Sequence, residues 1–341
     1  MLSFVNDYSA GAHPKIMERL MATNLEKTVG YGEDQYCEAA KEKIRLACEC
    51  QDAQIYFLQG GTQTNQVAID TMLDPTEGVI CAATGHINVH EAGAIEFTGH
   101  KVLALPTDNG ILKASQVREF CKGFYADESH DHEVFPGLVY ITHATELGGV
   151  YQKHELEELR AVCDEYNMSL YLDGARLACG LMCGASDVTL SDIARLTDAF
   201  YIGGTKCGAL YGEALVFTKN NMPKRFVTRV KQHGAMSAKG RLLGIQFDTL
   251  FTDGLYFEIG RHAMEMAGKV KKLFADKGYK FFIESPTNQI YIIVDKQKKE
   301  ELSEKVVFSF WENIDDDHTA IRFVTDWATT ERDIEELEKL L

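Results

Sequence analysis

A chain of 341 residues with 45% hydrophobic and 25% charged side chains is long enough for two domains and apolar enough for a sizeable core. Its 51 acidic residues against 35 basic ones, a formal net charge of -16, exclude a nucleic-acid or anionic-membrane partner, since both demand a basic face. No apolar run nears the roughly 20 residues of a membrane span, and the first twenty residues lack a signal-peptide core, so a cytoplasmic protein with its nine cysteines reduced is expected.

Taken in order, the chain opens on turn formers and a short helix, His13-Pro14 to Met21, and then reaches Gly30-Tyr31-Gly32, which presents one aromatic ring on a turn. Residues 35 to 50 have a helical pattern, and Gln54 to Leu58 reads as a strand. That strand runs through Gly60-Gly61-Thr62 into a helical stretch, Gln66 to Leu73. A strand, a glycine pair, hydroxyls and a helix point free backbone N–H groups at an anion, with about half a positive charge from the helix dipole behind them. The loop is neither a Walker loop nor a G-x-G-x-x-G fingerprint, so it does not read as a nucleotide site.

The strand Gly78 to Ala82 leads to His86 and His90, four residues apart. They would share a helix face, but no third ligand has metal spacing and no metal centre is expected. His86 follows a strand end, where a flat ring can stack on a flat cofactor. Residues 123 to 136, acidic and aperiodic, read as a solvated loop, and the strand from Gly137 to Ala144 runs out at Glu146. Lys153 to Asn167 carries Leu156, Leu159, Val162, Cys163 and Tyr166 on one face, an amphipathic helix.

That helix leads into the strand Ser169 to Asp173, and a second near Ser191 to Leu196 leads into the strand that ends in Gly203-Gly204-Thr205-Lys206. Asp173 and Lys206 are 33 residues apart, the length of one strand–helix–strand crossover. A buried strand has no use for a charge, so a carboxylate and an amine at two strand ends indicate a built site. Asp173 is assigned to the ring nitrogen and Lys206 to the aldehyde carbon of pyridoxal phosphate. Alternating strands and helices give an α/β fold, a mainly parallel sheet with helices on both faces and ligands at the carboxyl ends of the strands. Gly61, His86, Glu146, Asp173 and Lys206 then lie along one edge.

After a strand from Glu213 to Thr218 and a basic stretch, 221 to 231, a helical region near 240 to 278 precedes β-like segments at 281 to 295 and 321 to 324. Charged helices near 296 to 305 and 330 to 341 complete a smaller α+β unit. The expected division is 1–245, an N-terminal segment and large cofactor-binding domain, and 246–341, a small C-terminal domain.

The motifs NDYSAGAHP, GYGEDQY, GGTQTN, GHINVHEAG, ITHATELGGVY, LDGARLA, GGTKCG and RFVTDWATTERDIEEL occur in this order. Through them the chain resembles the low-specificity L-threonine aldolases, β-eliminating lyase-like enzymes of fold type I that use pyridoxal phosphate, and the resemblance runs nearly end to end. It implies Lys206 as the lysine that holds the cofactor, Asp173 at the pyridine nitrogen, and His86 stacked on the ring. It further implies Gly61 and Thr62 at the phosphate, Thr205 and Arg176 among the cofactor contacts, and Arg176 and Arg322 at the substrate carboxylate. Asn6 stands where many members carry serine, at a carboxylate contact, and Glu146 stands where one branch has a histidine at the substrate hydroxyl. Tyr31 is expected to cross a subunit interface in a homo-oligomer, a dimer or tetramer with shared active sites. The implied reaction cleaves the Cα–Cβ bond of L-threonine, L-allo-threonine and related β-hydroxy-α-amino acids to glycine and an aldehyde. β-Elimination, racemisation and aminotransfer share Lys206 and Asp173 and stand as the alternative.

Overall fold

The computed structural model describes residues 2–341. In chain order its strands are β1 (Leu2–Ser3), β2 (Gln54–Leu58), β3 (Glu77–Ala82), β4 (Val102–Leu105), β5 (Phe135–Thr142), β6 (Ser169–Asp173), β7 (Ala199–Gly203), β8 (Glu213–Phe217), β9 (Lys280–Ile283), β10 (Gln289–Asp295), β11 (Val306–Val307), β12 (Ser309–Asn313) and β13 (His318–Val324). Seven of them form one sheet in the order β2-β8-β7-β6-β5-β3-β4, in which only β8 runs against the rest. Every residue of β7 and β8 is buried, which requires cover on both faces.

The two faces follow from the period of two along each strand. Leu170, Leu172, Phe200, Ile202 and Val216 enter one core with the helix Lys153–Glu165, whose Leu156, Leu159, Val162 and Cys163 are buried as its apolar stripe predicts. Tyr171, Tyr201, Leu215 and Phe217 enter a second core with Val67 and Ile69 of the helix Gly61–Met72. A third core sits on the antiparallel sheet β12-β13-β10-β9, where Ile290, Ile292, Ile321 and Phe323 meet Val270, Phe274 and Leu337. The start of the chain joins this last core: Leu2 pairs with Val306, and Phe4 is buried there.

Six segments differ from the sequence expectation. The helix expected from Gln66 begins at Gly61, so the hydroxyls of the glycine loop belong to its first turn. Gly123 to Ala126 are not loop but the last turn of the helix Ala114–Ala126, whose buried Val117, Cys121 and Phe124 are obscured in the sequence by the glycine and the acidic run that follows. The long helical region is two helices, Arg241–Leu250 and Leu255–Asp276, because Asp253 and Gly254 adopt left-handed φ of 52° and 73° between them. Strands β4, β11 and β12 were not anticipated: β4 and β11 are apolar but only four and two residues long, and β12 is largely exposed.

Candidate active site

Asp173 closes β6, and Lys206 stands three residues beyond β7. The two strand ends meet backbone to backbone: Gly203 N donates to Gly174 O at 3.0 Å. A Cβ on Gly203 would lie 2.5 Å from Ala175 O, and one on Gly174 would collide with Tyr201 O, so only glycine permits this approach. The ends of β6 and β7, the turn Gly60–Thr62 and residues of β12 and β13 enclose a cavity of about 670 Å³.

Nine of the eleven residues singled out from the sequence line it: Gly61, Thr62, His86, Glu146, Asp173, Arg176, Thr205, Lys206 and Arg322. Asn6 and Tyr31 do not. The Asn6 amide oxygen is taken up locally, accepting from Tyr8 N at 2.9 Å and Ser9 Oγ at 2.8 Å. Tyr31 is exposed on its turn at φ 61°, with Lys231 Nζ 5.3 Å from its ring centre.

Asp173 is 1% exposed and fully engaged. Its Oδ2 accepts from Tyr140 Oη at 2.7 Å and Asn65 Nδ2 at 2.9 Å, and its Oδ1 from Ala175 N at 2.9 Å. Asn65 Nδ2 also donates to Glu91 Oε1 at 2.8 Å, and the same oxygen lies 2.7 Å from His86 Nδ1. One amide thus links the strand-end carboxylate to the one that holds the histidine. Glu91 in turn fixes the tautomer: a carboxylate accepts, so Nδ1 carries a proton and Nε2 is the free ring nitrogen. Burial opposes a charge on His86, but the bond to Glu91 and the Asp173 charge outweigh it and raise the pKa above the usual histidine value.

Glu146 lies on the turn after β5. Its Oε1 accepts from His86 N at 3.1 Å and Thr142 Oγ1 at 3.4 Å, while Tyr291 Oη of β10 donates to its backbone carbonyl at 2.6 Å. Burial raises its carboxyl above the ordinary range, and the Asp173 charge adds to that. Lys206 moves the other way: burial and then the Arg176 charge lower its amine below the usual lysine value.

The two arginines are not equivalent. Arg176 is 8% exposed and already spends Nε and Nη2 on Asp7, at 2.7 and 3.1 Å. Burial of Asp7 is outweighed by the charges of Arg176 and Lys206 and by its hydrogen bonds, which lower its pKa. Arg322 has no carboxylate. It makes long contacts to Gln289 Oε1 at 3.3 Å and Ser309 Oγ at 3.4 Å, its guanidinium lies 5.4 Å from the Trp311 ring centre, and its Nε is buried with no partner. A planar fork with open donors in a cavity is a receptor for a carboxylate.

Asn65, Glu91, Asp7 and Tyr140 were missed from the sequence although the first three stand inside the quoted motifs. Their signal is position: Asn65 closes GGTQTN and Glu91 follows the histidines, each a polar residue on a face that must be buried.

The sequence profile of the beta-eliminating lyases matches residues 4–300. The chain belongs to that family. A low-specificity L-threonine aldolase from a Pseudomonas species is 30% identical over 98% of this chain and 95% of its own length. A solved threonine aldolase from Leishmania major superposes with a TM-score of 0.95 at 42% identity, covering 100% of this chain and 99% of that one. A histidinol-phosphate aminotransferase from Clostridium acetobutylicum, 14% identical at a TM-score of 0.75 over 100% of this chain and 98% of its own, shares the fold alone. The fold is the fold type I architecture expected from the motifs.

Proposed function

We propose that the chain is a pyridoxal-phosphate-dependent aldolase that cleaves the Cα–Cβ bond of threonine, allo-threonine and related β-hydroxy-α-amino acids, releasing glycine and an aldehyde. What carries the reading is the convergence on one cavity of Lys206, the buried carboxylate of Asp173 and Arg322 with an unpartnered Nε. The residues fit the cofactor. Lys206 would hold its aldehyde carbon, Asp173 its ring nitrogen and His86 its ring face. Gly61 and Thr62 would hold its phosphate: the helix they open is capped by Gly60 with no side-chain bond to its first N–H groups. The Thr205 hydroxyl is already bonded to Glu213 at 2.7 Å, so its part at the phosphate is the smaller.

When bound, pyridoxal phosphate supplies an electron sink for the pair left at Cα. The chain supplies position and proton transfer. Arg322 binds the substrate carboxylate and so orients the bond to be cleaved, with Arg176 behind it on Asp7. Glu146 takes the β-hydroxyl proton; burial brings its carboxyl closer to the working pH, where a general base is most effective. Glu91 keeps Nδ1 of His86 occupied and its ring fixed, with Nε2 available to the substrate. The enzyme works as a homo-oligomer in which Tyr31, free in one copy, meets a second.

The test is direct. Purified protein supplied with pyridoxal phosphate turns yellow, loses the colour irreversibly on borohydride reduction, and releases acetaldehyde from L-threonine and L-allo-threonine but no pyruvate from serine. Lys206→Ala abolishes both colour and turnover. A protein that takes up no pyridoxal phosphate refutes the cofactor, and pyruvate without acetaldehyde refutes the reaction.

A further inference from the structure

One buried ionisable group beside Lys206 has no part in that chemistry. Glu213 opens β8, is 3% exposed and lines the cavity. It pairs with Gly203 across the sheet, so its side chain reaches the turn that follows β7. Oε2 accepts from Gly204 N at 3.0 Å and Oε1 from Thr205 Oγ1 at 2.7 Å. The turn is tied to the same strand by its backbone: Gly204 N and Thr205 N donate to Gly212 O at 3.0 and 3.2 Å, and Gly212 N donates to Thr205 Oγ1 at 3.0 Å. The residue before Lys206 is therefore held on every side.

A carboxylate meets both donors, one on each oxygen, where an amide would offer a single accepting oxygen, but its charge in a buried strand is costly. The charge calls for a reason, and a cation without a carboxylate of its own, Lys206, lines the same cavity and acts on it. Asp7 and Asp173 also face Lys206 and favour its charge, while Arg176 opposes it, and His86 and His90 stand across the cavity. Asp7, however, spends both oxygens on Arg176, and Asp173 accepts from Asn65, Tyr140 and Ala175. Glu213 is the anion whose bonds all go to the turn that bears the lysine. It faces Lys206 and Asp173, with the phenols of Tyr171, Tyr201 and Tyr256 and the thiol of Cys207 around it.

We propose that Glu213 is a positioning residue for Lys206: it fixes the Gly204–Thr205 turn that aims the lysine, and its carboxylate is a counter-charge, beside those of Asp7 and Asp173, that raises the pH at which the lysine nitrogen gives up its proton. This rests on the reading of Lys206 as the cofactor-bearing lysine. Burial pushes the Glu213 carboxyl up to about 7 against the bonds from Thr205 and Gly204, so its charge is fullest on the alkaline side of neutrality.

The full-length protein is loaded with pyridoxal phosphate and its borohydride-sensitive visible band is titrated between about pH 5 and pH 10, the range in which such groups titrate. In Glu213→Gln, which keeps one accepting oxygen for Gly204 N, turns the other into an amide donor toward the Thr205 hydroxyl and loses the charge, the midpoint falls by about one pH unit. In Glu213→Asp, which keeps a charge drawn back by one methylene, it falls by less. A midpoint unchanged in Glu213→Gln overturns the proposal. Equal falls in both variants overturn it too, because the effect then comes from the shape of the turn and not from charge. If Glu213→Gln does not fold, as judged by its melting curve, Glu213→Asp decides: a fall well short of about one pH unit supports the proposal, and an unchanged midpoint or a fall of a full unit overturns it. A wild-type protein that develops no visible band refutes the cofactor reading, a separate result.

Discussion

Asn65→Leu removes the one donor shared by the two carboxylates that order the site and puts in its place a side chain with the same number of heavy atoms. Asn65 is fully buried, its amide nitrogen donating to Asp173 Oδ2 and Glu91 Oε1 at 2.9 and 2.8 Å and its oxygen accepting from Tyr171 Oη at 3.0 Å. A hydrogen bond to a charged group contributes about 1.5–3 kcal/mol, and the group left behind bears the loss because leucine offers nothing in exchange. Taking the low end for each carboxylate, since water from the cavity relieves part of it, the substitution costs about 3 kcal/mol. For 341 residues the unfolding entropy is roughly 0.7 kcal/mol per kelvin, so the melting temperature falls by about 4 °C. Calorimetry on wild type and variant, with and without pyridoxal phosphate, reads this shift. A second readout is kcat/KM, expected to fall about tenfold or more as Glu91 loosens its hold on the His86 ring. A fall in melting temperature under about 1 °C would show that Asn65 does not hold the two carboxylates.

Arg322→Lys keeps the charge but loses the fork, and kcat/KM for threonine falls by about 10–100-fold with the visible band retained, measured by acetaldehyde release. Glu146→Gln lowers kcat by about 100-fold or more and removes the acid limb of the pH profile, a limb that lies above the ordinary carboxylate range because burial raises this carboxyl. For Asp7 the folded pKa lies below its ordinary 3.8, so its stabilising contribution is complete above about pH 4 and is lost as the pH falls through the folded value. Asp7→Asn accordingly costs about 3–5 kcal/mol at neutral pH by leaving Arg176 buried and unpaired, and less in acid, which thermal melts across pH will show.

The sheet and the cavity edge were legible because both rest on local signals. Runs such as Leu170 to Leu172 and Phe200 to Ile202 are too apolar for anything but a covered strand, and a charge at the end of each marks the rim. What was not legible depends on pairing over distance. β12 carries little apolar signal and owes its place to its partner β13, yet Ser309, Phe310 and Trp311 all line the cavity. Ser309 and Trp311, two residues apart, share one face of the strand, and the register slips between Phe310 and Glu312, a bulge at Trp311, whose ring lies against Arg322 and Tyr291. The division of labour between Arg176 and Arg322 is equally invisible in sequence. Both sit in motifs, and only the structure shows one of them already bound to Asp7.

That pairing gives residues 2–13 a role out of proportion to their secondary structure. Phe4 is sealed in the core of the small sheet, with Phe4 N donating to Val307 O and Val324 N to Phe4 O, both at 2.8 Å. Three residues on, Asp7 accepts from Arg176, on the turn that leaves β6 of the large sheet, and, at 3.1 Å, from Asn288, which precedes β10. The ring of Tyr8 then stands 6.0 Å from Lys206 Nζ, and His13 N donates to Gly208 O, two residues past the lysine, at 2.8 Å. A segment with almost no regular structure thus touches both sheets, the arginine and the lysine turn. It also balances charge. Arg176 lowers the lysine pKa and Asp7 raises it, so the ion pair that anchors the segment also softens the field at Lys206. The turn formers that open the sequence are therefore part of the site, and their lack of pattern reflects a path set by side-chain contacts and not by a helix or strand.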